Sequence, residues 1–515
     1  MKEPTNRSHD SKMAGSVALE SPTFHQKVEC TFLTLVLMST SVAILAQPFP
    51  GCEGFGCETA GGQGGQNIIV TSLADAGPGT LREALNTPGP RVITFSVSGN
   101  IHLKSPLILS GESSSFVTID AATAPGSGAQ IVGWELRLEQ DVHDVVLRNL
   151  RFGKPVRNWV SRTGAPPPCS TCPSGTGDCI DLRGARRVVI DQCSFRWASD
   201  ENVSAERFVN TDVTIQRCII ALPLWNGTHE DGEHSRNMNL SRGADRWSIH
   251  RNLFAMANWR NPQISGCSGR TDCDPTWADN PVFDFRYNIV FGLGEQGMQI
   301  DGGAQVNIVG NLFLRGPESS QIPPLLHEDR NEVGTRFYLE GNSDSAGPAD
   351  RTLVRTRIGN VFSTAPFSAP AITEPSNPLE TEMKSWGALP HDSIDRRVLD
   401  SVAARTGSVG DQLLRDSLSC TDCSGTLSVP VPDGLLRSPV TGLLLTLQGE
   451  HTKLQWISQP GQFFQAEHRV SLKESDRWLP LFVHWPAQQG TMTTFVHSNA
   501  LMMQSGFYQV WQEPP

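Results

Sequence analysis

Short segments with one arrangement of apolar and polar residues repeat along the middle of the chain. Each has an apolar residue, two mostly polar residues, a Cys or Asn pivot, and a second apolar pair. The clear copies are residues 189–195, 214–220, 248–254, 284–290 and 307–313, with weaker copies around 146–150 and 339–342. The proposed pivots are Asn149, Cys193, Cys218, Asn252, Asn288, Asn311 and Asn342.

The spacing of the pivots indicates a solenoid. It never falls below 23 positions but varies freely above that length, as expected when each turn keeps its strands and insertions leave as loops. Stacked Asn side chains can donate and accept along such a stack, and Cys fits the same slot as a small buried residue. The pattern therefore predicts an all-β protein with a parallel β-helix. The alternative is an ordinary β-sandwich with Asn at its turns.

The flanking segments predict four regions. Residues 1–46 contain an apolar run, CTFLTLVLMSTSVAILA, too short and too polar for a membrane span and typical of a signal peptide. Residues 47–400 form the β-helix, with coils from about Val92 to Phe362, a capping helix at 80–85 and a second helix near 396–404. Residues 401–435 form a linker. Residues 436–515 carry evenly spaced short strands that suggest a small β-sandwich, possibly a binding module.

Charge and cysteine content favour a secreted protein that does not bind nucleic acid. The net charge is −11, so we expect no general attraction to nucleic acid or to an anionic membrane. Eight cysteines form close pairs, namely Cys52/Cys57, Cys169/Cys172, Cys267/Cys273 and Cys420/Cys423. In an exported protein these indicate local disulfides. Zinc binding by the two C-x-x-C pairs is the alternative, although no His follows at ligand spacing.

Several segments together resemble the pectate lyase superfamily, over roughly residues 54 to 400. They are GFGCETAGGQGG, LADAGPGTLREAL, PRVITFSVSGNIHLKSPL, AATAPGSG, VVIDQCSFRWASDENVS, SIHRNLFAMANWRNPQI and WGALPHDSIDRRV. The resemblance implies a right-handed parallel β-helix (pectin lyase-like), a polysaccharide lyase that cleaves homogalacturonan by β-elimination, and calcium (Ca2+) as cofactor. The implied partner is an acidic plant cell-wall polysaccharide, and we expect a secreted monomer that is free of the membrane after signal cleavage.

The resemblance also implies site residues. The base of the family is an Arg in an Arg-x-Pro motif, here Arg260. Arg is a weak base at neutral pH, because deprotonating a group with a pKa of about 12.5 costs about 7.5 kcal/mol at pH 7. Asp178 and Asp200 match calcium ligands, and Glu201 is adjacent to the second. The remaining implied residues bind substrate and are Arg236, Asp191 and Trp259.

The chain departs from the family pattern at Thr176, Gln192, Ser204 and Ser265, where the family usually has charged or titratable residues. Two alternatives to a lyase therefore stay open. One is a β-helix glycoside hydrolase, for which Asn210-Thr211-Asp212 is a signature fragment. The other is a secreted, non-catalytic β-helix that binds glycan.

Overall fold

The computed structural model describes residues 47–153, 177–225, 234–319, 324–327, 334–345, 347–348, 353–356, 361–407 and 409, together with strands between 438 and 513. The predicted signal peptide lies outside the described residues, as do positions 410–435 of the predicted linker. The pairs Cys169/Cys172 and Cys420/Cys423 also lie outside them.

Three long sheets run side by side, and successive coils contribute strands to each in turn. Sheet 1 comprises β1 (Gln66–Val70), β2 (Arg91–Phe95), β5 (Val117–Asp120), β8 (His143–Arg148), β11 (Arg186–Asp191), β14 (Asn210–Gln216), β17 (Ala244–His250), β20 (Val282–Arg286), β23 (Gln305–Val309) and β26 (Arg336–Glu340). Sheet 2 comprises β3 (Gly99–His102), β6 (Ala129–Val132), β9 (Arg151–Gly153), β12 (Ser194–Arg196), β15 (Ile219–Ala221), β18 (Leu253–Ala255), β21 (Ile289–Phe291), β24 (Leu312–Leu314), β27 (Ser343–Asp344) and β28 (Gly347–Pro348). Sheet 3 comprises β4 (Leu107–Ser110), β7 (Leu136–Glu139), β10 (Ile180–Arg183), β13 (Glu201–Glu206), β16 (Arg236–Ser241), β19 (Gln263–Ser265), β22 (Met298–Asp301), β25 (Leu325–His327) and β29 (Val354–Thr356).

The strand pairs are parallel, apart from the β27–β28 pair at one end of sheet 2. Inward side chains such as Leu182, Ala205 and Leu240 are buried between the three sheets and form one continuous apolar core. This arrangement is a parallel β-helix, which confirms the predicted fold class. The coils begin earlier than predicted, because β1 already pairs with β2 ahead of Val92.

The two predicted helices are present with shifted starts, and a further short helix was not predicted. Helix α1 (Leu81–Asn86) begins after Thr80, whose hydroxyl accepts a hydrogen bond from the Glu83 backbone N–H at 3.3 Å. A four-residue helix, α2 (Leu379–Glu382), precedes α3 (Ser393–Ala404). Helix α3 starts before the predicted residue 396 because Asp392 caps it, accepting from the backbone N–H groups of the next turn. The 3₁₀ helices are Phe55–Glu58, Glu112–Ser114, Ala121–Thr123 and Met383–Ser385.

The predicted stack of pivots exists and is hydrogen-bonded. The Asn288 Oδ1 atom accepts from the backbone N–H of Asn252 at 2.9 Å, and the Asn288 Nδ2 atom donates to the carbonyl of Ile249 at 2.9 Å. Asn311 and Asn342 repeat the same contacts one and two coils further on. The side chains therefore bind the backbone of the preceding coil as well as each other, and we call this stack the pivot ladder.

The first predicted pivot is wrong by one residue. Val145 pairs with Val188 in sheet 1, so Leu150 is level with Cys193 and takes the pivot position. Asn149 instead occupies the turn before the pivot, with a φ of 55°. Asn is one of the residues that adopt this left-handed conformation most readily. Its side chain donates to Asp120.

Sheet 2 is covered by the segment 379–404. Trp386, Ile394 and Val398 pack on a cluster of apolar side chains from that sheet. Arg151 and Arg196 reach from the sheet and form ion pairs with Asp392 and Asp395 at the start of α3. These arginines are 2% exposed, so the cover shields an ionic cluster as well as an apolar one.

The C-terminal strands form two antiparallel sheets. One contains β30 (Ser438–Pro439), β33 (Phe463–Arg469), β34 (Leu479–Pro486) and β36 (Phe507–Glu513); the other contains β31 (Leu444–Gln448), β32 (His451–Ile457) and β35 (Met492–His497). Strands occur where the sequence predicts them, and the packing of the two sheets as a sandwich stays a prediction. Among the described residues, we find no helix with the length and apolar character needed to span a bilayer.

Truncating a pivot should destabilise the β-helix. We expect Asn288→Ala to lower the free energy of unfolding by about 2–4 kcal/mol, because it removes hydrogen bonds to the buried N–H of Asn252 and to the buried carbonyl of Ile249. Asn288→Cys should lose less, since Cys218 occupies the same slot and its sulfur accepts from the backbone N–H of Cys193 at 3.4 Å. Urea unfolding measures both variants. Equal stability of Asn288→Ala and the unaltered protein would contradict a structural role for the ladder.

The buried His250 should make stability depend on pH. Burial lowers its pKa to about 3, helped by Arg251, whereas the unfolded chain binds a proton below about pH 6.5. Stability is therefore fully present above about pH 6.5 and falls by about 1.4 kcal/mol for each pH unit below it, down to the folded pKa. His250→Gln should remove this contribution, and Gln216 already occupies the same row one coil earlier. Identical pH profiles of unfolding for the two proteins would refute this account.

Candidate active site

Four charged residues that the sequence singles out lie in one row at the start of sheet 3. Glu201 opens β13 and is paired in register with Arg236, which opens β16. Asp178 comes just before β10 and accepts a hydrogen bond from the backbone N–H of Glu201 at 2.9 Å. Arg260 comes just before β19, and its carbonyl accepts from the Met238 N–H at 2.9 Å. Each side chain thus comes from a different coil.

A second ladder directly follows this row, and sequence reasoning missed it. The residues after the four charged ones are Cys179, Asn202, Asn237 and Asn261. The Asn202 Nδ2 atom donates to Asn237 Oδ1 at 2.9 Å, and Asn237 Nδ2 donates to Asn261 Oδ1 at 2.8 Å. We call this stack the site ladder. Because each of its members is covalently joined to a charged residue, it brings the four charged residues close together.

Three carboxylates converge at the end of the row that contains Asp178 and Glu201. One oxygen from each of Asp178, Asp200 and Glu201 lies within 4.8 Å of the others. Burial raises the pKa of Asp178 well above its ordinary value, and the neighbouring carboxylates of Glu201 and Asp200 raise it further. Burial likewise raises the pKa of Glu201 to about 8, although Arg260 acts in the opposite direction. The surroundings therefore do not fully compensate the charged forms of these carboxyl groups.

Two arginines approach these carboxylates in different ways. The Nη1 atom of Arg260 forms an ion pair with Glu201 Oε1. Arg236 instead contacts the Nε2 atom of His234 at 2.7 Å, and the same nitrogen lies 2.9 Å from Asp200 Oδ1. Arg260 is thus joined directly to the cluster, and Arg236 is joined through a histidine.

The indole of Trp259 lies beside Arg236. The guanidinium carbon of Arg236 is 5.4 Å from the centre of the Trp259 ring, and the indole N–H donates to Glu295 at 2.9 Å. Trp259 is half-buried. A partly exposed aromatic face beside a cation is suited to stacking on a sugar ring next to a carboxylate.

The structure does not bring Asp191 to this row, which corrects its predicted role in substrate binding. Asp191 ends β11 in sheet 1 and is fully buried. Its carboxylate accepts from Arg148 at 3.0 Å and from Arg217 at 2.6 Å. Because Asp191 ends a strand of sheet 1, its neighbours are side chains of that sheet. Its negative charge is neutralised by the ion pairs with Arg148 and Arg217.

The hydrolase-like fragment of the sequence is structural. Asn210 is fully buried and its amide bonds the backbone of the preceding coil, while Asp212 pairs with Arg246. The hydrolase-like fragment Asn210-Thr211-Asp212 therefore belongs to strand β14. Cys52–Cys57 and Cys267–Cys273 are disulfides, as predicted.

The three carboxylates fit a hard divalent cation. Carboxylate oxygens are the ligands that calcium prefers, and calcium takes six to eight of them. The cluster is largely buried, and mutual repulsion raises the pKa of Asp178, which a cation would relieve. Ser204 lies on the same side of β13 as Glu206 and brings no charged group to the cluster. The further oxygen ligands of a cation would therefore come from substrate or water.

Comparison with known proteins identifies relatives across most of the chain. No protein-family model matches it. A probable pectate lyase C from Aspergillus fumigatus is 30% identical and covers 73% of this chain and 81% of its own length. Another from Aspergillus flavus is 28% identical, over 72% of this chain and 79% of its own length.

Among solved structures, a pectate lyase from Bacillus sp. N165 in complex with trigalacturonate is 16% identical. It superposes with a TM-score of 0.46 over 66% of this chain and 98% of its own. The fold assignment rests on the three parallel sheets of the chain itself. Given the extent of the match to its fungal relatives, the chain belongs to the pectate lyase family of polysaccharide lyases.

Proposed function

We propose that this protein cleaves a pectate-type uronate polymer by β-elimination, with Arg260 as the base. The observation that carries the proposal is the placement of Arg260 in one row with the cluster of Asp178, Asp200 and Glu201. β-Elimination removes the C5 proton of a uronate residue and expels the oxygen of the glycosidic bond. It therefore requires a base and a positively charged environment for the uronate carboxylate.

Asp178, Asp200 and Glu201 would hold calcium in this proposal. The bound ion would withdraw electron density from the uronate carboxylate and so make the C5 proton more acidic. The residues of the chain do the rest. Arg260 accepts the proton, Arg236 offers positive charge to a second carboxylate of the polymer, and Trp259 orients a sugar ring.

The base must lose a proton before it can accept one. The ordinary pKa of an Arg is about 12.5, so the free-energy cost of the neutral form falls from about 7.5 kcal/mol at pH 7 to about 3.4 kcal/mol at pH 10. The reaction should accordingly be faster in alkaline solution. Close placement of the base offsets part of this cost, because a fixed base reacts as if it were highly concentrated.

Export of the protein is part of the proposal. Disulfides persist in oxidising compartments, and the described residues contain two, Cys52–Cys57 and Cys267–Cys273. A polymeric cell-wall substrate would also have to be met outside the cell. The apolar run within residues 1–46 would supply the export signal.

Replacing the base should abolish cleavage while the fold stays intact. We expect Arg260→Lys to lower kcat on polygalacturonate at least about 100-fold, the usual contribution of a positioned base. The ultraviolet absorbance of the unsaturated product measures the rate. The matched control is Arg286→Lys, because Arg286 also pairs with a buried carboxylate, that of Asp284, but lies in sheet 1. Full activity of Arg260→Lys would contradict the assignment of Arg260 as the base. If the unaltered protein bound the polymer without cleaving it, the glycan-binding alternative would be favoured.

Calcium removal should stop the reaction reversibly. A chelator should abolish product formation and added calcium should restore it. Asp178→Asn should require at least about tenfold more calcium for half-maximal rate, because the ligand charge sets affinity at such sites. The Asn oxygen can still accept from the Glu201 N–H, which keeps the local backbone contact. A rate that is insensitive to chelator would retain the lyase and remove the metal from the proposal.

A further inference from the structure

Glu201 belongs both to the carboxylate cluster and to the ion pair with Arg260. One oxygen of its carboxylate is among those that converge within 4.8 Å, and its Oε1 atom contacts Arg260 Nη1. A cation bound by the three carboxylates would need electron density from the carboxylate that Arg260 now shares. The two positive groups therefore address one carboxylate.

We infer that a divalent cation and Arg260 compete for Glu201, so that binding of the cation releases the arginine toward the substrate. The inference rests on the proposed function and deepens it. Glu201 would hold the base in a resting position until the metal arrives. The cation would then both complete the site and free the proton acceptor.

The relative burial of the two partners indicates which one moves. The Glu201 side chain is 3% exposed and the Arg260 side chain is 20% exposed. Glu201 is also held at the start of β13 beside Asn202, whose amide is bound on both sides within the site ladder. Arg260 has a long side chain that ends nearer to solvent. Exchange of partners at Glu201 therefore requires only that the arginine side chain rotate away.

Arg236 offers an internal comparison. It is paired in register with Glu201 and contacts His234, which in turn contacts Asp200, whereas Arg260 forms an ion pair with Glu201 itself. A general effect of positive charge near the cluster would act through both arginines. Direct competition for an oxygen would act mainly through Arg260. The two mechanisms therefore predict different behaviour for variants at these two positions.

Calorimetric titration of calcium into the purified protein, without substrate, tests the competition. We expect Arg260→Gln to bind calcium at least about fivefold more tightly than the unaltered protein, within the usual range of coupling between two ligands. Arg236→Gln should change the affinity less, by no more than about twofold, because Arg260 has the larger electrostatic effect on Glu201. The titration is run at about pH 10, above the pKa of about 8 for Glu201, to favour the charged carboxylate in the proteins that retain Glu201.

A double-mutant cycle localises the effect. In a Glu201→Gln background, Arg260→Gln should leave calcium affinity unchanged, because the shared acceptor is no longer charged. Equal affinities of the unaltered protein and Arg260→Gln would overturn the competition and leave the calcium site in place. Equal tightening by Arg260→Gln and Arg236→Gln would replace it with a general charge effect. Absence of measurable calcium binding in all of the proteins would overturn the competition together with the proposed metal site.

Discussion

The hydrogen bonds between stacked asparagines and the backbone of the neighbouring coil are the constraint on which this molecule depends. A parallel β-helix has no local turn that sets the register of one coil against the next, and a slip by one residue would exchange its inward and outward faces. Asn252 and Asn288 oppose such a slip, because each amide is hydrogen-bonded to a buried backbone N–H or carbonyl of a neighbouring coil. Buried polar groups left unmade are costly, so the correct register is favoured over its neighbours.

A second ladder of stacked asparagines supports the candidate active site. The site ladder of Asn202, Asn237 and Asn261 lies one residue beyond Glu201, Arg236 and Arg260. Insertions of different length separate these coils, yet the charged side chains remain close together because the ladder resumes after each insertion. A site built on strand starts and supported by a hydrogen-bonded row is more rigid than one carried on long loops. The insertions can then vary in sequence without displacing the site.

The sequence predicted the fold, and the structure brings its candidate site residues together except for Asp191. The errors have physical causes. Cys193, Cys218 and the later asparagines share an apolar context, so the pivot ladder was visible. Asn149 was misplaced because Asn suits both a ladder slot and a left-handed turn, and only strand pairing shows that Leu150 takes the slot. Asp191 was misassigned because a sequence does not show which sheet a strand joins. The site ladder was missed because its members follow charged residues instead of apolar ones, which hides them from a search for hydrophobic periodicity.

The buried carboxylates of the row are only partly compensated by positive charge. Asp178 and Glu201 are buried side by side, and burial disfavours their charged forms. Arg260 compensates only part of this charge, because burial and the neighbouring carboxylates dominate the pKa of Asp178 and raise it. Asp392 is also buried, but it is paired with Arg151 and Arg196, and the pKa of its carboxyl is lowered. The contrast shows that the fold can hold a buried acid in its charged form. At the start of sheet 3 the acids are short of positive charge, a condition that a bound cation would relieve.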